Sequence, residues 1–150
     1  MKFTAVMAAM TVLFATAISA AAEEPRIGQV KTASGEVVIL RGSARFPVKP
    51  GDPVYTKDIV ETGEHGSVGI TFIDNSVFST GPDSQIGLDE YRFDPAAGGA
   101  MLASMPRGTL SVVSGEITKK SPGALKIVTP IATLGVRGTT FAVQVAGERQ

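Results

Sequence analysis

Residues 129–141 read TPIATLGVRGTTF and combine one proline, two glycines, one arginine and four threonines. Thr129 is expected to be extended, because Pro130 disfavours the α region for the residue before it. Residues 139–145 form a run of β-branched and aromatic side chains that predicts a strand. The stretch therefore predicts an extended segment, a sharp turn and a final strand.

Two glycines, Gly135 and Gly138, flank the segment that contains Arg137. Glycine permits backbone conformations that are closed to other residues, so we predict a tight turn here. Arg137 would either fold back under the turn, where its donors bind turn carbonyls and a carboxylate such as Asp58 or Asp74, or project outward to receive an anionic ligand or partner. The folded-back arrangement is favoured, because the backbone on both sides is constrained.

The composition favours one domain built of short strands. The chain has 150 residues, with 17 glycines, 9 prolines and no tryptophan. This length suffices for one modest core, and abundant Val, Ile and Thr favour many strands joined by tight turns. The absence of cysteine excludes a disulfide framework and thiolate metal sites, and the single histidine, His65, excludes a multi-histidine site.

Acidic and basic residues balance, with 14 of each. Without the first 22 residues, which carry only Lys2, the counts become 13 and 14 and the net charge is −1. Nothing in this balance draws the protein to nucleic acid or to an anionic membrane. We predict neither kind of partner from the charge.

The first 22 residues have the pattern of a secretory signal peptide. Lys2 supplies the positive end, residues 3–18 are uncharged and mostly apolar, and Ala20 and Ala22 suit cleavage after Ala22. Cleavage one or two residues earlier and an uncleaved anchor helix are the alternatives. We predict a signal peptide with its helix over residues 1–22 and an exported domain over 23–150, periplasmic or secreted, with no membrane span.

Beyond residue 27, glycines separate runs of strand-forming residues. Apolar side chains alternate with small or polar ones over residues 68–73, which is the period of a half-buried strand. We predict further strands at residues 35–40, 109–113 and 125–128, and a loop leading into a strand over 96–103. No window holds a helical apolar stripe with a cap and a stop, so the predicted class is all-β.

Short sequences recur along the chain. SGEV at 34–37 and SGEI at 114–117 share a turn-plus-strand pattern, and TGE at 62–64 echoes it. Stacked hairpins or solenoid-like coils would produce such echoes, and so would chance.

Three clusters together resemble the FecR domain family. Residues 51–63, GDPVYTKDIVETG, are similar to its Gly-Asp, then Asp-x-Ile-x-Thr-Gly core. Residues 67–76, SVGITFIDNS, with 81–84, GPDS, are similar to its Phe-x-Asp-Gly-Ser and Pro-x-Ser run, and the stretch at 129–141 is similar to its Thr-Pro and Arg-Gly-Thr-x-Phe ending. The motif residues are Gly51, Asp52, Asp58, Thr62, Gly63, Asp74, Ser76, Pro130, Gly135, Arg137, Gly138 and Thr139.

The resemblance spans about residues 27–145 and implies an all-β, solenoid-like or stacked-sheet domain in the periplasm or at the envelope. In founding members of the family this domain relays a signal from an outer-membrane iron-siderophore transporter to a cytoplasmic sigma factor. We expect this chain to lack their anti-sigma segment, central span and additional C-terminal region, so the relay does not carry over. Asn75 replaces a glycine of the family, a mild change because Asn also tolerates positive φ.

The sequence offers little support for a metal, catalytic or phosphate-binding site. Five aspartates suggest a calcium site: Asp52, Asp58, Asp74, Asp83 and Asp89. Their spacing does not match a dense Asp-rich loop. Aspartates in such sequences commonly bind backbone amides in turns. No nucleophile elbow surrounds Ser67, Ser76 or Ser84, and His65 is expected in an exposed turn. Residues 135–140 lack the length and the lysine of a phosphate-binding loop. We predict no catalytic, cofactor or metal site.

These observations favour a non-enzymatic binding or scaffold module, in an envelope-sensing or iron-related system, with another envelope protein as its partner. The alternatives are a protein that binds a surface glycan or peptidoglycan, and a hydrolase with an unrecognised site. A protein-binding module should have an exposed strand edge or apolar patch, and a glycan binder a row of exposed coplanar aromatic rings. An enzyme should have a deep pocket with titratable groups of shifted pKa.

Overall fold

A computed structural model describes residues 23–146, and its regular structure is almost entirely β-strand. The strands are β1 (Gly28–Ser34), β2 (Val37–Arg41), β3 (Ala44–Pro47), β4 (Pro53–Val54), β5 (Ile59–Thr62), β6 (Ser67–Phe72), β7 (Val77–Thr80), β8 (Gln85–Asp94), β9 (Gly98–Val113), β10 (Leu125–Val128), β11 (Thr133–Val136) and β12 (Thr140–Val145). A short helix, α1 (Glu116–Lys120), lies between β9 and β10. The prediction of an all-β domain with many short strands is confirmed, while the predicted signal peptide lies outside the described residues.

The predicted strands agree closely with the observed ones. The run at 68–73 corresponds to β6, the run at 125–128 is β10, and residues 109–113 form the end of β9. The chain turns at 95–97 and enters β9 at Gly98, as predicted for the loop at 96–103. The five-residue α1 was not predicted, because it is too short to show an apolar stripe.

Strand β9, the longest, joins the two parts of a curled sheet. The strand order is β3-β2-β5-β8-β9-β7-β6-β1-β4. The first half of β9 pairs with β8 and β10, and its second half pairs with β7 and β12. Only the pairing of β9 with β10 is parallel among the described strands. Apolar residues on the inner face form a single core, in which the rings of Phe72 and Phe78 meet edge to face at 4.8 Å.

Strands β10 and β12 lie end to end along one side of β9. The other side of β9 is taken by β7 and β8, which pair with residues 110–113 and 98–107. Strand β10 ends opposite Ser104, and β12 ends opposite Gly108. Among residues 23–146, β11 pairs only with β10 and β12 only with β9, so each has an open outer edge.

The recurring Ser-Gly-Glu sequences do not form a structural repeat. Gly35 has a φ of 66° in the turn between β1 and β2, whereas Gly115 has a φ of −109° and precedes α1. A Cβ added to Gly35 would overlap His65, whereas one added to Gly115 would overlap the turn at Asp74. The shared turn-plus-strand interpretation is therefore wrong for the second sequence.

We expect Gly108→Ala to lower the free energy of unfolding by about 2–3 kcal/mol, measured by urea denaturation. Gly108 has a φ of 102°, and a Cβ there would overlap Ser84, whose Oγ accepts the Thr109 N–H at 3.0 Å. Gly138→Ala is the control, because a Cβ on Gly138 would meet nothing within 4 Å. Equal stability of the two variants would contradict this account of how β9 passes Ser84.

Candidate functional site

The motif residues of the first two clusters are mostly buried polar groups. Asp58, Asp74 and Ser76 are fully buried, and Thr62 is 5 % exposed. Burying a polar group is unfavourable unless hydrogen bonds replace its lost water. Each of these four side chains makes such bonds, and together they form three separate clusters.

The first cluster is an ion pair between Asp58 and Arg41. Arg41 Nε donates to Asp58 Oδ1 at 2.8 Å, and its Nη2 donates to Oδ2 at 2.7 Å. The Tyr55 N–H also donates to Oδ2, at 3.0 Å. The guanidinium lies 5.0 Å from the Phe46 ring centre and 4.4 Å from that of Tyr55. The hydrogen bond to Asp58 raises the pKa of Arg41, which favours its charged form. The cation thus lies between a carboxylate and two aromatic faces.

The second cluster joins Thr62 to Ser84. Thr62 Oγ1 donates to the Gly81 carbonyl at 2.7 Å and accepts the Ser84 N–H at 2.9 Å. The neighbouring Gly63 adds two backbone hydrogen bonds: its N–H donates to the Glu36 carbonyl, and its carbonyl accepts the Asp83 N–H. This cluster fixes the turn between β7 and β8, which corresponds to the Pro-x-Ser motif.

The third cluster is centred on the Asp74 carboxylate. Oδ1 accepts the Tyr91 hydroxyl at 3.0 Å and the Ser76 N–H at 3.2 Å, and Oδ2 accepts the Ser76 hydroxyl at 2.6 Å and the Ile117 N–H at 3.2 Å. Burial raises the pKa of Tyr91, and the neighbouring negative charge of Asp74 raises it further. Asn75 has a φ of 68°, which suits the turn position where the family has glycine. The cluster ties the turn between β6 and β7 to β8 and α1.

The Gly-Asp motif also forms a turn. Gly51 has a φ of 98°, and Asp52 Oδ2 accepts the Lys49 N–H at 2.8 Å. The expectation that Asp52 and Asp74 bind backbone amides in turns is confirmed.

The structure places the last motif differently from the prediction. Arg137 is exposed and makes no hydrogen bond or ion pair within residues 23–146. Asp58 is bound instead by Arg41, and Asp74 by Ser76 and Tyr91, so the folded-back arrangement of Arg137 is wrong.

The two glycines near Arg137 do not supply a left-handed turn. Gly135 lies within β11, and neither it nor Gly138 has a positive φ. The sharp turn falls earlier, where Thr129 Oγ1 accepts the Ala132 N–H at 3.1 Å and Pro130 is exposed. Thr139 is also exposed, and its carbonyl accepts the Ser114 N–H at 2.9 Å.

We expect Arg137→Ala to change the free energy of unfolding by less than about 0.5 kcal/mol, because an exposed side chain without described partners contributes little. Differential scanning calorimetry at neutral pH measures the effect. A melting temperature several degrees below that of the wild type would instead support the folded-back arrangement of Arg137.

Two residues outside the motifs complete the clusters. Arg41 and Tyr91 supply the partners of Asp58 and Asp74. The sequence holds only a weak signal for Arg41, a cation that directly follows the apolar run 37–40. Tyr91 is one of several aromatic residues expected in the core, and its polar role is not visible in the pattern.

The serine, histidine and aspartate side chains considered as a nucleophile, a base or metal ligands do not form a reactive site. The Ser76 and Ser84 hydroxyls bind a carboxylate and backbone groups, and His65 is exposed. Within residues 23–146, no group of three His, Cys, Asp or Glu side chains is placed to hold a metal ion. The Ser76 and Ser84 hydroxyls therefore make hydrogen bonds within the fold.

A groove of about 880 Å³ lies where β10 and β12 approach each other beside β9. Its lining residues are Pro106, Arg107, Thr129, Pro130, Ile131, Ala132, Leu134, Val143, Gln144, Val145 and Ala146. Ile131 is 96 % exposed, and Arg107 is the only charged residue among the described residues of the lining. Arg107 Nη1 donates to Gln85 Oε1 at 3.0 Å. The described lining of the groove is thus mostly apolar, with one cation.

Fold and site together define an all-β domain whose buried motif residues bind groups of the fold and which has a groove beside unpaired strand edges. The family model described as FecR protein matches residues 58–150, so the chain belongs to the FecR family. This membership fits a module associated with the cell envelope.

Comparison with solved structures finds a likeness to a "Cell surface anchoring domain". It has 32 % sequence identity and a TM-score of 0.39, and the match covers 41 % of this chain and 82 % of the other. No curated protein matches the chain. None of the helices in residues 23–146 is long and apolar enough to cross a membrane.

Proposed function

We propose that the chain is exported to the periplasm and acts there as a non-enzymatic domain that binds another envelope protein, as a scaffold or sensing module. The observation that carries this proposal is the apolar groove beside the open edges of β11 and β12. Open strand edges and exposed apolar patches are common sites of protein binding.

The buried clusters support a binding role over a catalytic one. An enzyme of this size would be expected to present carboxylates or hydroxyls to a pocket. Here Asp58, Asp74 and Ser76 bind groups of the fold, and the part of the groove formed by residues 23–146 contains a single titratable side chain, Arg107.

The aromatic residues also favour a protein over a glycan. Every aromatic side chain in residues 23–146 is buried or half-buried: Phe46, Tyr55, Phe72, Phe78, Tyr91, Phe93 and Phe141. A carbohydrate surface needs exposed rings on which sugars can stack. Tyr55 and Tyr91 instead contact Arg41 and Asp74.

Capture from a periplasmic extract tests the proposal. The tagged chain would be cross-linked in the extract, purified under denaturing conditions and analysed by mass spectrometry. One protein is expected to be recovered reproducibly and in similar amount to the bait. Recovery of glycan alone, or of no protein above a tag-only control, would contradict the proposal.

A further inference from the structure

We propose that the outer edge of β12 and the adjoining groove bind an extended apolar segment of another protein, which places a carboxylate at Arg107. This inference rests on the proposed function and specifies the chemistry of the partner. The segment would add to the sheet as a strand, so that main-chain hydrogen bonds supply affinity and alternate side chains supply specificity.

The sheet leaves a position open for such a strand beside β12. Strand β11 lies beyond β10, but within residues 23–146 no strand lies beyond β12, although β10 and β12 follow each other along the same side of β9. An added strand would therefore occupy the row of β11 next to β12. The six residues of β12 give it a length of about 20 Å.

Composition and length together single out β12 among the edge strands. The two strands at the ends of the strand order, β3 and β4, each contain a proline, and β3 also carries Arg45. Proline and charge are common means of preventing further strand pairing. Strands β11 and β12 have neither, and β12, with the sequence TFAVQV, is the longer of the two. It is a long edge without the features that block addition.

The groove receives the side chains of the added segment at the end of this row. Its apolar lining includes Pro130 and Ile131 from the loop after β10, and Val143 and Val145 from β12. Ile131 is more exposed than the two other large exposed apolar residues of the described part, Ile73 at 51 % and Val113 at 45 %. Covering Ile131 with an apolar side chain would remove this surface from water.

The charge at the groove argues for a different protein rather than a second copy. Arg107 is exposed, and none of the lining residues within 23–146 is acidic. Strands β11 and β12 themselves contain no acidic residue, so these edges of a second copy would offer Arg107 no carboxylate. An incoming strand with an Asp, a Glu or a terminal carboxylate is complementary.

Two fluorescein-labelled, C-terminally amidated decapeptides of alternating valine and threonine, one ending in aspartate and one in lysine, test the inference by fluorescence anisotropy. We expect the wild-type chain to bind the aspartate peptide at least about tenfold more tightly than the lysine peptide. Arg107→Glu should reverse this preference, and Ile131→Glu should weaken binding of both peptides about tenfold or more.

Matched controls separate the groove from general surface effects. Ile73→Glu places the same charge on another exposed apolar residue, and Lys31→Glu reverses a cation on β1, which is separated from β9 by β6 and β7. Both should bind the aspartate peptide as wild type does. Circular dichroism confirms that each variant is folded.

Three results would overturn the inference: no binding of either peptide by the folded wild type, equal binding by the Ile131→Glu and Ile73→Glu variants, or a dimer in sedimentation that Ile131→Glu dissociates. The third result would assign the edge to a second copy. If wild type and Ile131→Glu capture the same protein from the periplasmic extract while peptide binding fails, the proposed function stands and this site is wrong. If neither captures a protein, the proposed function itself fails.

Discussion

Asp74→Ala is expected to lower the free energy of unfolding by about 4 kcal/mol, because it leaves several buried donors without an acceptor. The carboxylate accepts from Ser76 twice, from the Tyr91 hydroxyl and from the Ile117 N–H. Water cannot readily replace it, since Asp74 and Ser76 are fully buried. The corresponding fall in melting temperature is about 12 °C, measured by calorimetry.

Asp89→Ala is the matched control for this prediction. Asp89 is half-buried and makes no side-chain hydrogen bond within residues 23–146, so its loss should cost less than about 1 kcal/mol. Asp74→Asn should fall between the two, because the amide keeps the shape but offers a donor where a second acceptor is needed. Equal melting temperatures for Asp74→Ala and Asp89→Ala would refute the central role of the Asp74 cluster.

Arg41→Ala is expected to destabilise the domain by about 3 kcal/mol, because it leaves the Asp58 carboxylate buried without its cation. Asp58 is fully buried, whereas the Arg41 side chain is 38 % exposed, so water can enter and offset part of the loss. The variant also loses the contacts of the guanidinium with Phe46 and Tyr55. A decrease of about 10 °C in melting temperature is the expected reading.

The exposed pair of Arg45 and Glu61 supplies the comparison. Its atoms lie 3.2 Å apart and the Arg45 side chain is 61 % exposed, so Arg45→Ala should cost less than about 1 kcal/mol. Arg41→Lys tests the geometry, because lysine keeps the charge but cannot form two parallel bonds to Asp58. It should recover only part of the lost stability. Full recovery would mean that charge alone, and not the paired hydrogen bonds, supports Asp58.

The fold was predictable because its signals are local. Alternation over residues 68–73 predicts β6, and the turn residues around Asp52 and Asp74 predict where the chain reverses. Such patterns depend on side chains a few positions apart. The helix α1 escaped prediction because the Ile117 N–H at its start is bound by Asp74, 43 positions earlier in the chain.

The site was less predictable because partners of buried charges lie far apart in sequence. The pattern offered Asp58 and Asp74 as partners for Arg137, on the basis of charge and a constrained backbone. The structure pairs them with Arg41 and Tyr91, each 17 positions away, and leaves Arg137 exposed. Sequence spacing does not reveal which strands become neighbours, so it could not choose among the available cations and donors.

The sequence by itself determined the all-β class, the positions of most strands and turns, and membership of the FecR family through its spaced motifs. It did so because strand periodicity and turn chemistry are properties of neighbouring residues. Only the tertiary structure decided that Asp58 and Asp74 are bound inside the fold, and that β12 ends beside an apolar groove with an open edge. Both depend on which distant strands β9 brings together, since burial and strand pairing arise only when the sheet is assembled.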